Sequence, residues 1–186
     1  MEINKLSISG AWQTFSPIIE DHRGSLKETF SFSNNVEKTG LSFNVAQSIF
    51  TKSKKGVIRG IHYSLNPLSQ WKWITCVSGS ILDVVVDIRT GSPTFGLHEE
   101  VLLSDTNGMG ILLQGNLGHA FQSLTENAVV VYNLSTEYTP EFEKSINPLD
   151  KLINIKWPIL EQILSEKDNN SPTLQGQIQK FELPRI

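Results

Sequence analysis

Four histidines, His22, His62, His98 and His119, are the side chains of this sequence best suited to move protons near neutral pH, where imidazole ordinarily titrates. His22 stands in the polar turn Asp21-His22-Arg23-Gly24 and His98 beside Glu99 and Glu100, so both read as solvated. His62 follows a basic residue by three positions in Arg59-Gly60-Ile61-His62-Tyr63. His119 lies in Gly115-Asn116-Leu117-Gly118-His119-Ala120-Phe121, where glycines permit close backbone approach. Taken singly, each of these two is more simply a core histidine than a working base.

Other chemistries find little support. A metal-binding barrel needs a close pair of histidines with a following Glu, and the positions two before and two after His62 are Gly60 and Ser64. There is no H-E-x-x-H pair, no G-x-S-x-G elbow and no glycine-rich phosphate loop of the mononucleotide or dinucleotide type. The lone cysteine, Cys76, sits in an apolar run and cannot form an internal disulfide.

The residues that must position this chemistry read as strands. Short apolar runs are separated by turn clusters such as Lys54-Lys55-Gly56, Ser78-Gly79-Ser80 and Thr90-Gly91-Ser92-Pro93, the spacing of an all-β sandwich or barrel. Ile81 to Ile88 is the best strand, with Leu82, Val84, Val86 and Ile88 on one face and Ile81, Asp83, Val85 and Asp87 on the other. The simplest account of its two carboxylates is an edge or hairpin position paired with a cation such as Arg89. Ala128 to Leu134 alternates so that Tyr132 falls with Val130 and Leu134 on the inward side. Thr94 to Leu103 and Met109 to Leu113 are further strand candidates. Helix is expected only over Asn34 to Gly40, and over Trp157 to Lys167 after Pro158. The tail after Asn169 has no clear period and reads as an extension over a partner or a frayed end.

The chain has 186 residues, which suits one domain over 1–186, with a core from about 12 to 170 and a tail over 171–186. Its apolar share, about 46% once glycine is included, is that of an ordinary globular protein. A net charge of −3 argues against a protein built to grip nucleic acid, although a small basic pocket remains compatible with it. No apolar run reaches 18 residues, and Met1 to Trp12 has no apolar stretch behind a basic start. The expectation is a soluble, cytoplasmic protein without a membrane partner.

Set in order, the blocks Asp21-His22-Arg23-Gly24, Gln47, Ser53 to Tyr63, Gln70-Trp71-Lys72, Gly79 with Asp83 to Arg89, Gly91 to Gly96, Gly118-His119-Ala120-Phe121, Tyr132, Tyr138-Thr139-Pro140 and Ser165-Glu166-Lys167-Asp168 resemble the dTDP-4-dehydrorhamnose 3,5-epimerase family. The resemblance runs from about residue 12 to about residue 170. It implies a cupin-like jelly-roll β-sandwich with a few short helices, and a homodimer whose N-terminal strands reach across to the partner. The implied activity is epimerisation at C5 and/or C3 of a nucleotide-linked 4-keto-6-deoxyhexose, without cofactor or metal. A sugar-nucleotide-binding sandwich that is non-catalytic or differently specialised is the alternative, since a fold does not fix a function.

By resemblance, His62 is the base, Asp168 its carboxylate partner, Lys72 the cation beside the keto oxygen and Tyr132 the acid on the opposite face. Arg23 and Arg59 resemble diphosphate ligands, for which a guanidinium fork is suited. Gln47, His119, Tyr138 and Glu28 complete the substrate-binding set. The chain departs from the common double epimerase in the stretch Ile111 to Leu117, which lacks the usual Pro, and at three single positions. Ile49 stands where an amide is usual, Ser64 where Gln commonly follows, and Ala120 where Gly follows the histidine. These departures resemble the branch that inverts a single centre, and they set the expectation that C5 is inverted more readily than C3.

Overall fold

The computed structural model describes residues 1–31, 43–65, 67 and 69–186. The expected helix over Asn34 to Gly40 lies outside the described residues. Thirteen strands are described: β1 Glu2–Lys5, β2 Ala11–Phe15, β3 Ile18–Asp21, β4 Gly24–Lys27, β5 Gln47–Ser53, β6 Ile58–Ser64, β7 Lys72–Ser78, β8 Ser80–Val86, β9 His98–Ser104, β10 Met109–Leu113, β11 Gly118–Ser123, β12 Ala128–Leu134 and β13 Glu143–Ser145. Two short helices follow, α1 Glu166–Asn169 and α2 Leu174–Lys180.

The strands form a six-stranded sheet, β1-β2-β10-β7-β12-β5, and a five-stranded sheet, β13-β6-β11-β8-β9. Every strand pairing is antiparallel. Within them β10-β7-β12-β5 and β6-β11-β8-β9 are two four-stranded halves between which the chain repeatedly crosses, the connectivity of a jelly roll. Among the described residues the hairpin β3-β4 pairs only with itself.

Period-2 alternation explains why the strands sit where they do. Ile74, Cys76, Ile81, Val85, Phe121, Val130 and Tyr132 point between the sheets and form the central core. The opposite faces are also covered. Val84, Val86 and Ile88 pack with Ile61 and Tyr63 against Ile153, Trp157, Leu174 and Leu183 from the C-terminal segment. Trp73 and Leu112 pack with Trp12 and Phe43 behind the six-stranded sheet. Because β8 is buried on both faces, its two sequence-assigned faces each find a core.

Two expected elements differ. Trp157 to Ser165 is not helical, and only Glu166 and Lys167 of the expected span enter a helix, α1. Ile159 is held instead by Gln122, whose side-chain amide accepts from its N–H at 3.0 Å and donates to its carbonyl at 2.9 Å. Ile163 bridges Val57 in parallel. These pairings satisfy the same backbone groups that a helix would, and tie them to the sheet. The strand expected from Thr94 begins only at His98, because Thr94 to Leu97 form a turn. The tail neither frays nor hangs free: Leu174 and Leu183 are buried, and the Tyr63 hydroxyl donates to the Glu182 carbonyl at 2.9 Å. Among the described residues no helix is long and apolar enough to cross a membrane.

Candidate active site

A cavity of about 330 Å³ opens between the two sheets, with β5, β7 and β12 on one side and β6, β11 and β13 on the other. Arg59 and His62 both line it, although residues three apart on a regular strand face opposite ways. The pairing of β6 with β11 explains this. His62 stands opposite His119 and Arg59 opposite Phe121, so β6 carries one residue more than its partner over this stretch. The resulting bulge turns both side chains into the cavity. Gly60 makes it possible. At φ +123° a Cβ here would lie 2.5 Å from both the Ala120 Cβ and the His119 carbonyl oxygen.

His62 Nε2 lies 2.7 Å from Asp168 Oδ1. Asp168 sits on α1, where the Ser165 hydroxyl accepts from its N–H at 3.0 Å and caps the helix. Burial pushes the Asp168 carboxyl up, but His62, the Ser165 hydroxyl and the Gly60 N–H outweigh it and hold the group below its ordinary value. Asp168 is therefore ionised at neutral pH and fixes Nε2–H on the imidazole, leaving Nδ1 as the basic nitrogen.

His119 makes a second pair, with Nε2 2.8 Å from Asp83 Oδ2. Asp83 is fully buried in the middle of β8, between β11 and β9, so the edge position expected for it does not hold. Asp87 does pair with Arg89, as expected, at 2.7 Å. The Tyr132 ring meets His119 edge-on, with centroids 5.9 Å apart. Burial, then the Asp83 charge, pushes the Tyr132 phenol far above its ordinary value, so it keeps its proton. Lys72 donates to Gln70 Oε1 at 3.0 Å. Burial lowers its ammonium below the usual lysine value, against an opposing pull from Glu143. Arg59 is steadied by Nε donating to Ser53 Oγ at 3.1 Å. Gln47 Oε1 accepts from the Tyr138 N–H at 3.1 Å.

The structure therefore gathers His62, Lys72, Tyr132, Arg59, Gln47, His119 and Tyr138 around one cavity, with Asp168 behind His62. It does not bring Arg23 or Glu28 there. Arg23 lies on the tip of the β3-β4 hairpin, 78% exposed and paired with Asp21, and Glu28 is exposed just beyond β4. Of the three single-position departures only Ile49 reaches the cavity. Ala120 is buried in the core behind the five-stranded sheet, and Ser64 accepts from the Gln70 N–H.

Asp83, Gln70, Thr51 and Glu143 belong to the site or its support and were not singled out by the sequence for it. A carboxylate inside a β-branched strand was a readable signal for Asp83. Glu143 follows a loop and carries none. Cys76 is buried in β7, and burial pushes its thiol up to about 11, which removes it as a nucleophile. Among the described residues no three His, Cys, Asp or Glu side chains come together as a metal site.

The family model described as dTDP-4-dehydrorhamnose 3,5-epimerase matches residues 5–176. A dTDP-4-dehydro-6-deoxyglucose 3-epimerase of Streptomyces bikiniensis is 44% identical over 173 residues, 92% of this chain and 88% of that protein. The crystal structure of a 3'-monoepimerase from Streptomyces bikiniensis in complex with dTDP-quinovose superposes with a TM-score of 0.94 at 43% identity, covering 98% of this chain and 92% of that one. The dTDP-6-deoxy-D-glucose-3,5-epimerase of Legionella pneumophila, in complex with dTDP-4-keto-L-rhamnose, superposes at 0.92 with 35% identity, covering 100% and 98%.

Proposed function

The chain belongs to the dTDP-4-dehydrorhamnose 3,5-epimerase family, and from that premise we propose that it is an isomerase inverting a carbon next to the keto group of a dTDP-linked 4-keto-6-deoxyhexose, with the cavity residues dividing the work as follows. The observation that carries the reading is that His62 and Tyr132 enter one cavity from opposite sheets, so a sugar ring between them meets a base on one face and an acid on the other.

His62 Nδ1 takes the proton from the carbon beside the ketone, and Asp168 stabilises the imidazolium that forms. The electron pair moves to the keto oxygen, where the Lys72 ammonium meets the developing enolate. Tyr132, held protonated by its surroundings, returns a proton to the opposite face. His119, kept in one tautomer by Asp83, lines the same cavity as a further polar group for the sugar. No step draws on a metal or a cofactor.

Arg59 takes the diphosphate. Arg23 and Glu28 serve the site of a second copy, and the active form is a homodimer. Their absence from the lining of their own chain's cavity supports this, as does a hairpin that among the described residues joins neither larger sheet. Of the two flanking carbons we set C3 first, in place of the C5 expected from sequence, because the Streptomyces bikiniensis relative is named a 3-epimerase.

The test is incubation with dTDP-4-keto-6-deoxyglucose in deuterated buffer, with NMR at both carbons. Deuterium entering C3 ahead of C5, with inversion, is the expected result. Equal entry at both, with the doubly inverted sugar as product, makes the chain a two-centre epimerase. No exchange at either carbon, with tight nucleotide binding, returns the non-catalytic alternative.

A further inference from the structure

An ammonium on a flexible four-carbon stem must be held still if it is to meet an oxygen only when charge develops there. Among the described residues, Lys72 makes its side-chain hydrogen bond to Gln70. Gln70 is itself 5% exposed. Its Nε2 donates to the Thr136 carbonyl at 2.9 Å, and its backbone N–H donates to Ser64 Oγ at 2.8 Å. These contacts admit one orientation of the amide. Turned over, it would set NH₂ against the ammonium and oxygen against a carbonyl oxygen.

The acceptor offered to Lys72 is therefore neutral by construction. A carboxylate in its place would hold the ammonium more tightly but would cancel the field it offers to an enolate. An amide oxygen orients the charge and leaves it intact. Ser64 ends the strand that carries His62, two positions further on. The hydroxyl that seats Gln70 is thus tied to the base across the cavity.

We infer that Gln70 is a positioning residue for the epimerisation, setting the Lys72 ammonium against the enolate oxygen, with Ser64 seating Gln70 relative to His62. The inference rests on the reading of Lys72 above. The charged and titratable groups facing Lys72 are Glu143 on β13, Arg59 and His62 on β6, His119 on β11, Tyr132 on β12 and Tyr138 beyond it. Burial already lowers the Lys72 ammonium. Removing an acceptor that favours the charged form lowers it further, and a carboxylate there raises it.

Gln70→Met keeps the side-chain length and removes the acceptor. It is expected to lower kcat about 10²-fold, the scale of a 1 Å misplacement, with a far smaller change in KM. The alkaline limb of kcat is expected to move to lower pH. Gln70→Glu is expected to lower kcat as well but to move that limb to higher pH. A purely structural role would move neither limb. Lys72→Met separates the two ideas. If it keeps the parent kcat, the reading of Lys72 itself fails. If it is inactive while Gln70→Met keeps the parent kcat and pH limb, only the positioning by Gln70 is overturned. Should Gln70→Met fail to fold, Ser64→Ala decides, with the same downward shift of the limb expected and an unmoved limb overturning the inference.

Discussion

At the scale of single residues, two carboxylates show how environment assigns work. Asp168 is kept ionised against burial by His62, the Ser165 hydroxyl and the Gly60 N–H. His62→Ala should therefore lower kcat by about 10²–10⁴, the range of general acid–base catalysis, while dTDP affinity measured by calorimetry stays close to the parent's. Asp168→Asn should cost less, because it removes the tautomer lock and leaves the base in place. Asp87 does structural work. Burial raises its carboxyl, but Arg89, Ser92 and Thr94 outweigh that and bring it to about 2. A folded value below the ordinary one of 3.8 means stability that is complete above pH 4 and lost as pH falls toward 2. The amount is on the order of 2 kcal/mol. Urea unfolding of the parent and of Asp87→Asn should differ by roughly that at neutral pH, with the gap closing below pH 4.

At the scale of elements, the bulge in β6 decides which side chains share the cavity. Arg59 and His62 meet there only because the strand holds one more residue than β11 between its paired positions. Gly60 at φ +123° leaves no room for a Cβ against Ala120 and the His119 carbonyl. Gly60→Ala should destabilise the fold by at least about 2 kcal/mol, from backbone strain and overpacking together. Its kcat at a temperature where it remains folded should also fall, since β6 can relieve the contact only by moving His62. A thermal melt and kcat near the parent's would show that the bulge tolerates a side chain. The Ala120 methyl occupies the space that a Cβ at Gly60 would need, so the two positions hold room for one side chain between them.

At the scale of the whole molecule, a chain of net charge −3 concentrates Arg59 and Lys72 in one cavity between its sheets. Arg23 lies elsewhere, on a hairpin whose Ile19 and Leu26 are 64% and 65% exposed. Apolar side chains on a hairpin that, among the described residues, joins neither larger sheet fit an arm laid against a second copy. Chains carrying Arg23→Ala and chains carrying His62→Ala should each be weak or inactive alone. If Arg23 serves a second copy, mixing the two after mild dissociation should restore turnover, because each mixed pair would rebuild one site with both residues. If mixing restores nothing while sedimentation shows exchanged dimers, Arg23 does not serve the partner.

Local order alone determined a good part of this protein. Alternation along Ile81 to Ile88 and Ala128 to Leu134 assigned the faces of β8 and β12, and the turn clusters marked an all-β chain, because a strand's two faces follow from residue parity. The ordered blocks singled out His62, Lys72 and Tyr132 before any of them had a neighbour. Tertiary structure decided what parity cannot express. The bulge that puts Arg59 beside His62 depends on pairing with β11, and the burial of Asp83 against His119 depends on β8 lying inside its sheet. Trp157 to Lys167 has helical spacing, yet Gln122 and Val57 offered its backbone partners that a helix would have had to forgo. Ala120 and Ser64 looked like pocket residues from their place beside the motif. Their side chains turn to the core and to Gln70, because which face of a strand meets the substrate is settled by the sheet it joins.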